Sequence, residues 1–362
     1  MPESPDPSKS YGSVSINKLD KSRIEIEGSI PAEIWEKFRP QALKHLNETF
    51  TVDGFRKGMV PDNILTAKVG QAAVSEKMAE LALRKAYIDI LTDHAIDAIG
   101  EPEVRITKLA TGNPLEFKAV TAVVPEVKLP DYRKLAAAEL KKSSPDELAV
   151  TESDVEAAIL RIRKARVSHE SHDHDEMSPE EHEKAVLDSL PEFNDDFVRG
   201  MGDFKDLEDF KQKVRVMIGE NKKDEVREKL RLRIADALSG GSTIELPEVA
   251  VESELARTEA QFKLDIEKMG VKLDDYLKHS KKTLEDIRKE WRPHAEKKAK
   301  LQLILDAIAR AENIKPAVQE IENEVTQILA HYKDADRERA AVYAETVLSN
   351  EKVFEWLERH RE

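Results

Sequence analysis

From Leu207 onward, apolar residues recur at helical spacing: Leu207, Phe210, Val214 and Met217, then Val226, Leu230 and Ile234, until Gly240–Gly241 stops the run. A pattern this long commits this part of the chain to helix. A second helix begins after Pro247 and carries Leu255, Phe262, Ile266 and Met269 to Gly270. A further long one is marked by Leu284, Ile287, Trp291, Leu301, Ile304 and Ile308, with Pro293 inside it as an expected kink. Shorter helices finish the chain. There is neither a fixed-period repeat nor a sustained heptad, so a solenoid and a simple coiled coil are disfavoured.

The opening third follows different rules. Val14 and Ile16, then Ile24 and Ile26 across the polar break Asp20–Lys21, alternate at period two and predict a β-hairpin. Pro31 opens a helix whose stripe is Ile34, Phe38, Ala42, Leu46 and Phe50, ending before Gly54; another helix is predicted from about Val74 to Ala95. Strands follow near Val104–Ile106 and Leu115–Val124. The order predicts an α+β N-terminal domain, an antiparallel sheet with packed helices, over residues 1–125, followed by an elongated, mostly α-helical domain with helical arms over 126–362.

Between them, residues 125–148 carry three prolines and little alternation, and predict an extended linker. Thr151 with Asp154 is a capping-box start for a helix reaching about Val167. The interval 168–182 reads as a short polar loop, histidine-rich from Ser168 to Met177, and within it Ser178-Pro179-Glu180-Glu181 restarts a helix.

Composition narrows the function. Of 362 residues, 36% are charged and 40% hydrophobic, which favours an extended or multi-lobed body over one compact globule. A net charge of −14 argues against general nucleic-acid binding, so any RNA contact must be local. No cysteine is present, which removes disulfides, zinc–thiolate sites and thiol catalysis. The N-terminus has no apolar signal region and no stretch is long and apolar enough to span a membrane, so the expectation is a soluble, cytoplasmic protein with no membrane partner.

Catalytic motifs are missing as well. Walker A, GxGxxG, GxSxG and HExxH patterns are all absent, so no cofactor and no enzyme activity are expected. The one metal-like cluster is His169, His172, His174 and His182 with Asp173, Asp175 and Glu176. It lies in a polar loop without a visible second shell, and a plain loop is the preferred reading.

The sharpest local feature is GFRKGMVP, Gly54 to Pro61. Gly54 and Gly58 permit a bent loop, Pro61 starts the next helix, and Phe55, Arg56 and Lys57 would be presented together. Arginine offers a planar fork for carboxylate or phosphate, lysine a point charge and phenylalanine an anchor. From physics alone, a helix-connecting loop with incidental charge competes with a docking tip.

The segment closely resembles the ribosome-docking signature of the trigger factor family, G-F-R-x-G-K-x-P, with seven of eight positions compatible and Met59 where the family usually has lysine. The likeness extends to the element order of residues 13–124, the PEVKLPDY stretch, and the run from LPEFNDDFV to the C-terminus. It implies an ATP-independent ribosome-associated chaperone. Such a protein docks at the exit tunnel on a ribosomal protein and adjacent rRNA, and shields nascent or unfolded polypeptide; off the ribosome it forms a homodimer. It also implies Gly54, Phe55, Arg56, Lys57, Gly58 and Pro61 as the docking residues.

Typical members carry an inserted prolyl-isomerase domain where this chain has about two dozen polar residues between Val167 and Leu190, none aromatic. An isomerase-free variant is therefore expected. The rival readings are a free holdase or assembly scaffold, which has no use for the tip, and an enzyme built on the histidine cluster.

Overall fold

A computed structural model of the chain describes residues 9–142, 144–165, 187, 190–332 and 335–359. The chain folds as two compact units, each assembled from two stretches: residues 1–128 with 242–304, and residues 129–241 with 305–362.

The first unit is built on a four-stranded antiparallel sheet, β1 (Val14–Leu19), β2 (Arg23–Ile30), β3 (Ala98–Lys108) and β4 (Leu115–Val123), in the order β1-β2-β4-β3. The predicted hairpin turns where expected, with Lys21 and Ser22 at positive φ. β2 and β4 are central strands, paired Ile26 to Ala119 and Ile30 to Leu115, and all four of these side chains are buried. Four helices cover one face: α1 (Ala32–Trp35), α2 (Arg39–Thr49), α3 (Asp62–Val69) and α4 (Gln71–Asp93), with a 3₁₀ turn at Glu36–Phe38 between the first two. The sequence reading had one continuous helix here. Pro40 has no N–H to give to the carbonyl of residue 36, and the chain tightens into 3₁₀ geometry just before it. Phe50, expected on the buried stripe, follows the end of α2 and is exposed. Trp35 is fully buried and donates its indole N–H to the Asn113 carbonyl at 3.0 Å.

The later stretch of this unit holds α9 (Glu248–Lys268), α10 (Leu273–Ser280) and the start of α11 (Leu284–Ala311), numbered in chain order with the helices given below. α11 runs through Pro293 as continuous helix. α9 and α11 are clasped by Arg288 and Arg292, which bond Glu248, Glu252 and Glu259, and by a small core of Val251, Leu255 and Ala295.

The second unit contains α5 (Tyr132–Lys141), a 3₁₀ turn at Pro145–Leu148, α6 (Glu152–Lys164), α7 (Asp195–Arg199), α8 (Leu207–Gly241), the end of α11, α12 (Val318–His331) and α13 (Arg337–Arg359). α5 corrects the expectation of an extended linker. The prolines at 125, 130 and 145 all fall outside it, Asp131 caps it by accepting from the Lys134 N–H, and Ala136 and Ala137 are buried. The capping box at Thr151 and Asp154 is formed in both directions. The expected loop at 168–182 and the helix restart at Ser178 lie outside the described residues.

This unit has several small cores. Val155, Ile159, Val198, Phe210 and Val214 form one, around which Phe193, Phe204 and Phe210 pack edge to face. Val325, Ala340 and Ala344 form another between α12 and α13. Arg231 of α8 bonds both Glu351 and Glu358 of α13, at 2.6 and 2.5 Å, with its guanidinium over the Phe354 ring.

Candidate docking site

The loop from Phe50 to Pro61 joins α2 to α3, and its base is better ordered by hydrogen bonds than its composition suggests. Asn47, in the last turn of α2, uses its side-chain amide twice: Nδ2 donates to the Val60 carbonyl at 2.7 Å, and Oδ1 accepts from the Val60 N–H at 3.1 Å. The Asn47 carbonyl also accepts from the Gly58 N–H at 3.0 Å. One asparagine therefore pairs with the returning strand as a neighbouring backbone would. Val52 and Val60 are buried on either side of the tip and pin both ends into the core of the unit.

Between those anchors everything faces water. Residues 53–59 are all exposed, Phe55 at 37% and Met59 at 71%. Gly54 and Gly58 have φ of +87° and +84°, as the sequence required. A Cβ at either would touch nothing within 4 Å, so glycine is needed there for backbone conformation and not for space. Two further bonds shape the bend, Phe55 N–H to the Val52 carbonyl at 3.1 Å and Met59 N–H to the Arg56 carbonyl at 2.9 Å. Pro61 sits immediately before α3 with φ −58°.

Phe55, Arg56 and Lys57 are thus brought together at one tip. The side chains of Arg56 and Lys57 have no ion-pair or hydrogen-bond partner among the described residues, so both cations are available to an outside acceptor. Sequence reasoning found the displayed residues and missed those that hold them. Asn47, Val52 and Val60 carry no motif. The one available signal was an asparagine in the final helical turn, a position where it is a poor helix former and a good backbone partner.

The candidate metal ligands His169, His172, His174 and His182 lie outside the described residues. Among the described residues no group of three or more His, Cys, Asp or Glu is placed to hold a metal ion, and no helix is long and apolar enough to cross a membrane.

Comparison with known proteins agrees with this fold. The family model for the bacterial trigger factor protein matches residues 13–162, and that for the trigger factor C-terminus matches residues 206–358. The trigger factor of Moorella thermoacetica is 26% identical over 388 residues, covering 87% of this chain and 86% of its own. That of Bacillus mycoides is 24% identical over 399 residues, covering 90% of each. A solved structure of the trigger factor chaperone, described for promiscuous substrate recognition in folding and assembly, superimposes with a TM-score of 0.53 at 19% identity. The match covers 97% of this chain and 100% of that one. The chain belongs to the trigger factor family, whose general role is that of a ribosome-associated chaperone.

Proposed function

We propose that this protein docks beside the ribosomal exit tunnel through Gly54, Phe55, Arg56, Lys57, Gly58 and Pro61, and shields emerging or unfolded polypeptide without using ATP. Residues 1–125 serve as the docking domain and residues 126–362 as the helical chaperone body, in the cytoplasm, with self-association off the ribosome. The observation that carries the reading is the pair of unpartnered cations beside an exposed phenylalanine on a loop with a fixed base. Such a tip meets a carboxylate or phosphate without first having to be ordered. Docking then concentrates a weak apolar binder where clients emerge.

The protein works without prolyl-isomerase activity in this reading. What supports it is length: the two family matches leave only residues 163–205 between them, too few for an inserted domain with its own core. A peptide isomerisation assay should show no acceleration by the purified chain, and measurable turnover would refute this part.

The main test is co-sedimentation with vacant ribosomes, comparing wild type with Phe55→Ala/Arg56→Ala/Lys57→Ala. Charge-assisted bonds contribute ~1.5–3 kcal/mol each, so the triple variant should bind at least ~100-fold more weakly. It should still suppress client aggregation. Equal sedimentation of the two proteins would refute the docking assignment and leave a free holdase.

A further inference from the structure

β4 alternates buried residues with half-buried or exposed ones, as a strand covered on one face should, whereas β3 does not: every residue from Glu103 to Lys108 is exposed. Register makes this anomalous. Val104 pairs with Ala119 and Ile106 with Phe117, so Val104 and Ile106 stand on the same face as two fully buried core residues. They are nevertheless 46% and 37% exposed, because α4 covers β4 and stops short of β3. The gap is a groove of about 520 Å³, lined on the α4 side by Leu83, Tyr87 and Ile88 and on the sheet side by Val104, Phe117 and Ala119. Ile88 is itself 56% exposed.

β3 is also an edge strand. Half of its backbone N–H and C=O groups point away from β4, and from Glu103 to Lys108 no other described backbone segment pairs with them. An apolar groove therefore lies beside an open hydrogen-bonding edge, and strand addition uses apolar recesses next to such an edge. One end is closed. Pro102 has no N–H to offer, and Val249 of α9 packs on Gly100.

We propose that this groove takes an extended, uncharged, apolar segment of client polypeptide, added as a fifth strand along β3. The inference rests on the chaperone reading and gives it a second binding surface, apart from the docking tip. Charge chooses the occupant. The lining carries two acids, Glu80 and Glu101 on opposite lips, and one base, Arg84. Glu80 is paired with Arg84 and, from outside the groove, with Lys77, so its charge is neutralised and the nearly balanced mouth favours a segment with no net charge. Size argues against a second copy of the chain: six edge residues make a strip only ~20 Å long and one strand wide, whose area falls well short of the ~800 Å² per partner that a stable interface buries. Bulges between Ile99 and Glu103 and between Ile106 and Lys108 keep the added strand short, which suits release.

The experiment uses the full chain and a capped, fluorescent octapeptide of alternating valine and serine. Anisotropy should detect saturable binding, and amide exchange should slow at alternate residues of 103–108 when the peptide is present. Val104→Lys, a change at an exposed position, should weaken peptide binding about tenfold or more and leave ribosome co-sedimentation unchanged. Binding that Val104→Lys does not alter, or that leaves exchange across β3 untouched, overturns the proposal. So does sedimentation showing a dimer that Val104→Lys dissociates, which would assign the edge to self-pairing. The tip triple variant should bind the peptide normally, so failure of the groove and failure of the docking assignment are read separately.

Discussion

The sheet domain and the α12–α13 hairpin solve the same stability problem at different scales. The first gathers Trp35, Ile26, Ile90, Leu115 and Phe117 into one contiguous core of buried residues. The hairpin rests on Val325, Ala340 and Ala344, with ion pairs from Arg337 to Glu322 and Lys352 to Glu320 at the surface. A single large core tolerates an exposed, glycine-bent tip because the tip removes little from it. Helices held by a few small side chains and exposed ion pairs open locally at low cost.

The comparison is broken most directly at Trp35. Trp35→Ala removes the largest buried side chain and its hydrogen bond, and should cost about 3–5 kcal/mol in denaturant unfolding. Val325→Ala should cost about 2 kcal/mol and accelerate amide exchange in α12 and α13 while leaving the sheet protected. If both variants moved one common transition equally, the two regions would form a single cooperative unit and the contrast would be lost. Next in size is Arg231→Ala, which leaves Glu351 and Glu358 to Arg227 alone. A loss of roughly 1–2 kcal/mol is expected, less than for a fully buried network because Arg227 still bonds both carboxylates and Glu351 is 43% exposed.

Asn47→Ala sharpens the comparison at the tip. Global stability should fall by about 1 kcal/mol, exchange at Gly58 and Val60 should quicken, and ribosome affinity should drop about fivefold as the loop loses its fixed base. Asn47→Asp keeps the acceptor and loses the donor, so it should fall between wild type and alanine. The smallest effect is one of pH. The Asp154 carboxyl, hydrogen-bonded by Lys222 and then by the backbone and hydroxyl of Thr151, titrates at about 2 instead of 3.8. A lowered carboxylate value means that its stabilising contribution is present above about pH 4 and is lost as pH falls toward 2. Asp154→Asn should flatten the acid limb of α6 melting over that window, followed by circular dichroism. An unchanged limb would show that the contact is not maintained in solution.

Much of this was legible in the sequence where one periodicity ruled. The hairpin at Asp20–Lys21, the capping box at Thr151, the α8 run from Leu207 and the displayed triad at Phe55 all follow from spacing or turn chemistry. The failures have physical causes. α5 hid among prolines that flank it, since proline density marks a linker only when the prolines interrupt the helix-forming stretch. The break near Pro40 and the exposure of Phe50 depended on where a missing N–H fell relative to a single turn. The β3 groove was illegible because Val104 and Ile106 alternate like any core strand, and only the reach of α4 decides that they remain uncovered.

Because Asn47 closes the loop through groups that do not depend on which side chains the tip displays, the clamp is indifferent to its cargo. Residues 53–57 could be exchanged for other short sequences without disturbing the frame, provided that glycines stay at the two left-handed positions. That makes the domain a ready mount for grafting foreign recognition loops.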